Sequence, residues 1–198
     1  MNALDRLRLH LRPGEIYRRA QLVAFSSAVD RHLKQLVDSG ELQKLKAGVY
    51  YRPKTSTFGE VPPEETKLLE AFLKDTDFLV VSLNAYNAMG VGTTQLYNEK
   101  LVYNHKRDGR MALNGQKYYF LKNRKFPKKT SEEFLLVDLV NNLDLLAENT
   151  GKLKKLVMEK VFSMDVRKIM KAVKSFGKAR TQKFFAELLE NHKFANVR

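Results

Sequence analysis

None of the 198 residues is a cysteine, which excludes disulfides and thiolate metal sites and fits a reducing cytosol. No stretch stays apolar for the roughly 20 residues a membrane-spanning helix needs. Residues 1–12 mix Leu with Arg and do not build the apolar core of a signal peptide. The expectation is a soluble, cytoplasmic protein without membrane contact. Histidine is scarce: His10, His32, His105 and His192 form no pair at the spacing of helix or hairpin ligands, so no metal site is expected. Gly90-Val91-Gly92 lacks the Gly-Lys-Ser/Thr ending of a phosphate loop and the full dinucleotide fingerprint, and reads as a turn. Asp75 and Asp77 have no third acid or lysine at nuclease-like spacing, and no nucleophile motif occurs. The protein is therefore expected not to be an enzyme and to hold no cofactor.

What the chain does have is positive charge. There are 36 Lys and Arg against 22 Asp and Glu, a net +14, and a field of that sign attracts polyanions. Ionic attraction alone does not choose between DNA, RNA, ribosome surfaces and acidic membranes, because phosphate contacts carry no sequence information. With 43% apolar residues the chain can bury a real core, and its length suggests one to two domains.

Residues 14–53 carry the most specific pattern. Ser26 and Ser27 are good N-cap residues for a helix over residues 28–37, with Val29, Leu33, Leu36 and Val37 at one-turn spacings and Gly40 as its stop. Ser27, Arg31, Lys34 and Gln35 repeat that spacing about 200° round the helix and face outward. All four can hydrogen-bond DNA. A short helix over residues 19–25 precedes the turn, which gives a helix-turn-helix. Residues 41–51 then read as a hairpin with Lys46, Ala47 and Gly48 at its tip and Leu42, Leu45 and Val49 inward.

That hairpin is the expected wing of a winged helix-turn-helix, with Lys44, Lys46, Arg52 and Lys54 placed for phosphates beside the groove. Arg18 and Arg19, near the start of the preceding helix, can either hold a phosphate with free backbone N–H groups or simply be solvated. Asp30 and Asp38 oppose phosphate, unless Asp30 accepts from a cytosine amino group. A basic amphipathic helix often binds nothing. Helix, turn and wing in this order, with one sign of charge, favour DNA.

Residues 53–63, with three prolines and Gly59, read as a linker, so the domains are expected at 1–56 and 57–198. Pro63, Glu64 and Glu65 open a helix buried through Leu68, Leu69, Phe72 and Leu73. Residues 78–81 form a short buried strand, and Ser82 can cap a helix ending at Gly90. Residues 101–105, 110–113 and 117–122 are strand-like and separated by Asp108-Gly109 and Asn114-Gly115, which predicts a three-stranded antiparallel meander. Thr130 and Glu133 suggest a capping box for a helix through about residue 149.

Residues 131–150 hold acids but no Lys or Arg, while residues 151–183 are strongly basic, so the two blocks can attract each other. The α+β region therefore ends near residue 150. A tail of three amphipathic helices follows over 151–198, with Arg167, Lys171 and Lys174 on one face of the middle one. The fold class expected is α+β, a winged helix-turn-helix followed by a mixed α/β region with a meander and a C-terminal helical bundle.

With the winged unit followed by Gly48-Val49-Tyr50 and Pro53, and later by residues 85–90 and Thr93-Thr94-Gln95, the sequence resembles the AbiEi-like antitoxins. These are the antitoxin and transcriptional-regulator half of the abortive-infection AbiE toxin–antitoxin systems of bacteria. The resemblance implies an N-terminal domain that binds double-stranded DNA and represses its own operon. It also implies a C-terminal region that counteracts a nucleotidyltransferase-type toxin in the type IV manner, without requiring tight binding. The alternative is an interaction module whose basic C-terminal helices grip an acidic partner directly. A nucleic-acid-processing enzyme is the third reading, motivated only by charge and scattered acids.

Overall fold

A computed structural model describes residues 2–91, 96–122, 124–147 and 149–195, with side chains through Glu190. The protein is mixed α and β, with a C-terminal helical bundle. It falls into two compact units, Met1–Thr76 with Leu113–Gly115, and Asp77–Ala112 with Gln116–Arg198. Among the described residues no helix is long and apolar enough to cross a membrane.

The first unit begins with α1 (Ala3–His10), capped by the Asn2 side chain, which accepts from Asp5 N at 2.8 Å. Strand β1 (Ile16–Arg18), helix α2 (Arg19–Leu22) with a 3-10 turn, and helix α3 (Val29–Asp38) follow. Gly40, at φ +74°, stops α3 in the left-handed conformation that favours glycine. Strands β2 (Gln43–Lys46) and β3 (Val49–Tyr51) complete an antiparallel sheet of order β1-β3-β2. As the central strand, β3 is buried at all three residues, whereas β2 at the edge alternates. Leu7, Leu22, Val29, Leu33, Leu36 and Leu42 form the core of this unit. Leu9, on the other side of α1, is exposed.

Three local expectations change here. Ala28 takes the N-cap position of α3 in place of Ser27, and the buried Ser26 hydroxyl accepts from Ala28 N at 3.1 Å while meeting His32 Nδ1 at 2.7 Å. Leu45 is only partly buried, because the register slips between Lys44 and Lys46. Residues 53–63 are more than a linker: β4 (Lys54–Ser56) and β5 (Gly59–Val61) pair as a hairpin, anchored where Tyr51 Oη donates to Val61 O at 2.6 Å. Helix α4 (Glu65–Leu73) then buries Leu68, Leu69, Phe72 and Leu73, as its pattern predicts.

The second unit holds β6 (Phe78–Ser82), a short helix α5 (Ala85–Ala88), and strands β7 (Glu99–Asn104), β8 (Gly109–Leu113) and β9 (Gln116–Lys122). Gly90, at φ +74°, turns the chain after α5, but Gly92 and Thr93-Thr94-Gln95 lie outside the described residues. The sheet order is β6-β7-β9-β8, and β7 runs parallel to β9, so the expected meander is not formed. The reason lies at Asn104. Its buried side chain accepts from Lys106 N and Arg107 N at 2.8 and 2.7 Å and donates to Arg107 O at 3.0 Å, making a local turn that leads away from β7. Asp108 then accepts from Lys122 N at 3.2 Å, which delivers β8 to the far side of β9. Only Asn114-Gly115, both at positive φ, forms the two-residue hairpin turn its sequence signals.

Helix α6 (Glu132–Asn141) is buried on almost every face. Ser131, and not Thr130, caps it, accepting from Phe134 N at 3.2 Å. It stops at Asn142 instead of running on to residue 149, because Asn142 leaves helical geometry and gives its amide to Tyr103 and Asp138. The bundle then continues through α7 (Thr150–Ser163), α8 (Val166–Phe176) and α9 (Ala179–Ala195), the three predicted helices. The acidic and basic blocks do meet, through Arg180–Asp144 at 2.6 Å and Lys160–Glu132 at 3.9 Å.

Candidate functional site

On α3 the apolar residues Val29, Leu33 and Leu36 are buried and Ser27, Arg31, Lys34 and Gln35 are exposed. The amphipathic split follows directly from the 3.6-residue period. Ser27, Arg31 and Gln35 line one open groove together with Asn2 and Leu4, and Lys34 follows Arg31 by about one turn. Arg31 and Lys34 make no ion pair among the described residues. Lys44 and Lys46 are exposed on β2, next to the left-handed Gly48 that closes the turn into β3.

Asp30 does not confront an incoming anion alone. Arg19 holds it with two hydrogen bonds, Nε to Oδ1 and Nη2 to Oδ2, both 2.6 Å. The bidentate contact keeps the Asp30 carboxyl below its usual range and raises the guanidinium. Arg19 is thus committed to an acid instead of waiting for a phosphate. The backbone N–H groups expected to be free beside it are occupied as well. Arg18 N donates to Gln21 Oε1 at 2.8 Å and Arg19 N to Gly48 O at 2.9 Å. Arg18 itself is half-buried and shares an open cavity with Glu15, Gln21 and Lys67.

Arg52 is also structural. Its Nη1 donates to Glu41 O at 2.7 Å and reaches Glu41 Oε2 at 3.3 Å. Arg8 grips the same carboxylate through Nε and Nη2, each at 2.9 Å, and these hydrogen bonds hold Glu41 below the usual carboxylate range. Of the basic residues predicted around the groove, Arg31, Lys34, Lys44 and Lys46 are exposed with no ion pair among the described residues, Arg19 is exposed but paired with Asp30, and the half-buried Arg52 holds Glu41.

In the second unit Arg167, Lys171 and Lys174 are exposed on α8 without carboxylate partners among the described residues. Beside them lies a feature the sequence did not disclose. Asp138 on α6 is fully buried and accepts from Tyr86 Oη at 2.8 Å, from Tyr103 Oη, and from Asn142 Nδ2 at 3.0 Å. Burial pushes its carboxyl up to about 6 despite these donors, and the same burial, with Asp138 close by, raises both tyrosines. Asn141 next to it organises the α8–α9 turn. Its Oδ1 accepts from Lys178 N and Thr181 Oγ1, both at 2.8 Å, and its Nδ2 donates to Phe176 O at 2.9 Å. A cavity of about 320 Å³ opens onto Asp138, Asn141, Arg124 and Lys178. Among the described residues no three His, Asp or Glu side chains converge as a metal site requires.

No protein-family model and no curated protein matches this sequence. Among solved structures the chain is similar to the crystal structure of the RV2827C protein from Mycobacterium tuberculosis, with a TM-score of 0.56 and 12% identity, over 94% of this chain and 74% of that one. At that identity the likeness is one of fold alone.

Proposed function

We propose that the protein is a DNA-binding transcriptional autoregulator that acts as the antitoxin of a bacterial abortive-infection system with a nucleotidyltransferase-type toxin. In this reading α1–α3 with β1–β3 is a winged helix-turn-helix, α3 enters the major groove and the β2–β3 turn is the wing. The observation that carries it is the outward set Ser27, Arg31, Lys34 and Gln35, exposed on a helix where Arg19 pairs with one of the two acids, Asp30, and the other, Asp38, stands exposed at the C-terminal end. Arg31 and Lys34 suit the acceptor edge of guanine, Gln35 suits adenine, and Ser27 suits either a base or a phosphate. Lys44 and Lys46 would hold phosphates.

The test is binding to the promoter fragment of the protein's own operon against a scrambled fragment. Arg31→Ala and Lys34→Ala are expected to weaken the specific complex by about 1–3 kcal/mol wherever the contact is to a base, with unchanged circular dichroism. Unchanged promoter affinity in both variants would overturn the reading. The antitoxin half rests on the sequence resemblance, and it requires that a nucleotidyltransferase-type toxin be encoded beside this protein and that co-expression with it restore growth. Arg167, Lys171 and Lys174, exposed and without carboxylate partners among the described residues, favour a second reading, direct capture of an acidic partner, which requires that charge reversal on α8 abolish co-purification.

A further inference from the structure

The cavity beside Asp138 collects more positive than negative charge, since Asp138 and the nearby Asp144 only partly offset its cations. Arg124, Lys125, Lys174 and Lys178 line it, and among the described residues the only acid in its lining is Asp138, whose oxygens accept from Tyr86, Tyr103 and Asn142. None of the four cations makes an ion pair among the described residues. Lys178 Nζ donates to the neutral carbonyl of Asn141 at 2.6 Å, and Arg124 Nη1 reaches Asn142 Oδ1 at 3.4 Å. Some cations of the unit do find acids, as in Arg110–Glu99 at 3.0 Å and Arg180–Asp144 at 2.6 Å, whereas the cavity brings four that do not into one concave place. Desolvation first, then repulsion from Arg124 and Arg180, pushes the Lys178 ammonium down to about 8. Lys125 and Lys174 are exposed, but Arg124 and Lys178 are half-buried, and holding those two cations together costs free energy unless something compensates.

A bound anion supplies that compensation, and a phosphate, with more than one negative charge and a geometry matched to the guanidinium fork, does so best. At about 320 Å³ the cavity has the size of a small-molecule site, not of a lone phosphate group. Tyr103, Phe134 and Phe176 supply an aromatic wall, with the Phe134 and Phe176 rings edge to face at 5.3 Å between centroids. We propose that this cavity binds a small phosphorylated organic molecule, its phosphate held by Arg124 and Lys178 and its organic part against Tyr103, Phe134 and Phe176. The site uses no residue of α3, so it stands or falls independently of the DNA reading.

The experiment is isothermal titration of the full chain with AMP, inorganic phosphate and adenosine as probes. AMP is expected to bind more tightly than either of the others. Arg124→Gln and Lys178→Met should each weaken AMP at least about tenfold while circular dichroism stays unchanged. Lys174→Gln, at an exposed position, should cause a smaller loss and serves if either of the first two variants does not fold. No saturable AMP binding up to about 10 mM, or undiminished affinity in the folded variants, overturns the proposal. So does adenosine or inorganic phosphate binding as tightly as AMP. Displacement of AMP by non-specific duplex DNA would assign the cavity to nucleic acid and likewise reject it.

Discussion

Asp138 is only 1% exposed, and three donors do not fully offset the cost of its charge. Its folded pKa, about 6, lies above the ordinary value of 3.8, so the neutral acid is the better buried form. The stability it contributes is complete below pH 4 and is lost as pH rises through about 6. Asp138→Asn cannot ionise. The stability difference, wild type minus variant, should therefore fall between pH 4 and 7 by on the order of 3 kcal/mol, read from urea unfolding across that range. A flat difference would mean an ordinary carboxyl. The sequence gives no warning of this residue. A third acid on a helix that already carries Glu132 and Glu133 looks like one more solvated position, and its partners Tyr86 and Tyr103 stand 52 and 35 residues away.

Helix α3 depends on a neighbour for its electrostatic character. Without Arg19, Asp30 would present an uncompensated charge on the helix that carries Arg31 and Lys34. Arg19→Ala should therefore weaken promoter binding although Arg19 touches no DNA in this reading, and Arg19→Ala with Asp30→Ala should recover much of the loss. Gel-shift titrations of the single and double variants decide this, and equal loss in both would place Arg19 on the DNA itself. The α8–α9 turn offers a purely structural test. A Cβ at Gly177 would come within 2.6 Å of the Val173 carbonyl oxygen and 3.2 Å of Gln182 Cγ. The first of these is backbone and cannot swing aside, so Gly177→Ala should destabilise the chain by about 1–3 kcal/mol in denaturant unfolding. The strands show where local signals end. Asn114-Gly115 makes its hairpin, whereas Asp108-Gly109, an equally good dipeptide, does not, because Asn104 has already turned the chain.

For the molecule as a whole, the net charge of +14 sets how strongly any polyanion is drawn in, and salt reports how much of it is used. If the proposed DNA-binding role holds, Lys46→Ala should weaken specific and non-specific duplexes about equally and reduce the slope of log affinity against log salt by about 1, as a phosphate contact does. A loss confined to the specific duplex would mean that Lys46 reads a base. Arg52→Ala, by contrast, should lower stability through the loss of its bond to the Glu41 carbonyl, which thermal unfolding registers.

The sequence by itself determined the elements whose signals are local. These are the amphipathic period of α3, the glycine turn between β2 and β3, the Asn114-Gly115 hairpin and the three helices beyond residue 150. Each follows from backbone preference and from which side of a short segment meets water. Only the tertiary structure decided that β7 and β9 run parallel, that Arg19 and Arg52 serve Asp30 and Glu41, and that Asp138, Arg124 and Lys178 share one cavity. Those outcomes depend on groups far apart in the chain competing for the same few partners, and close packing settles that competition in three dimensions.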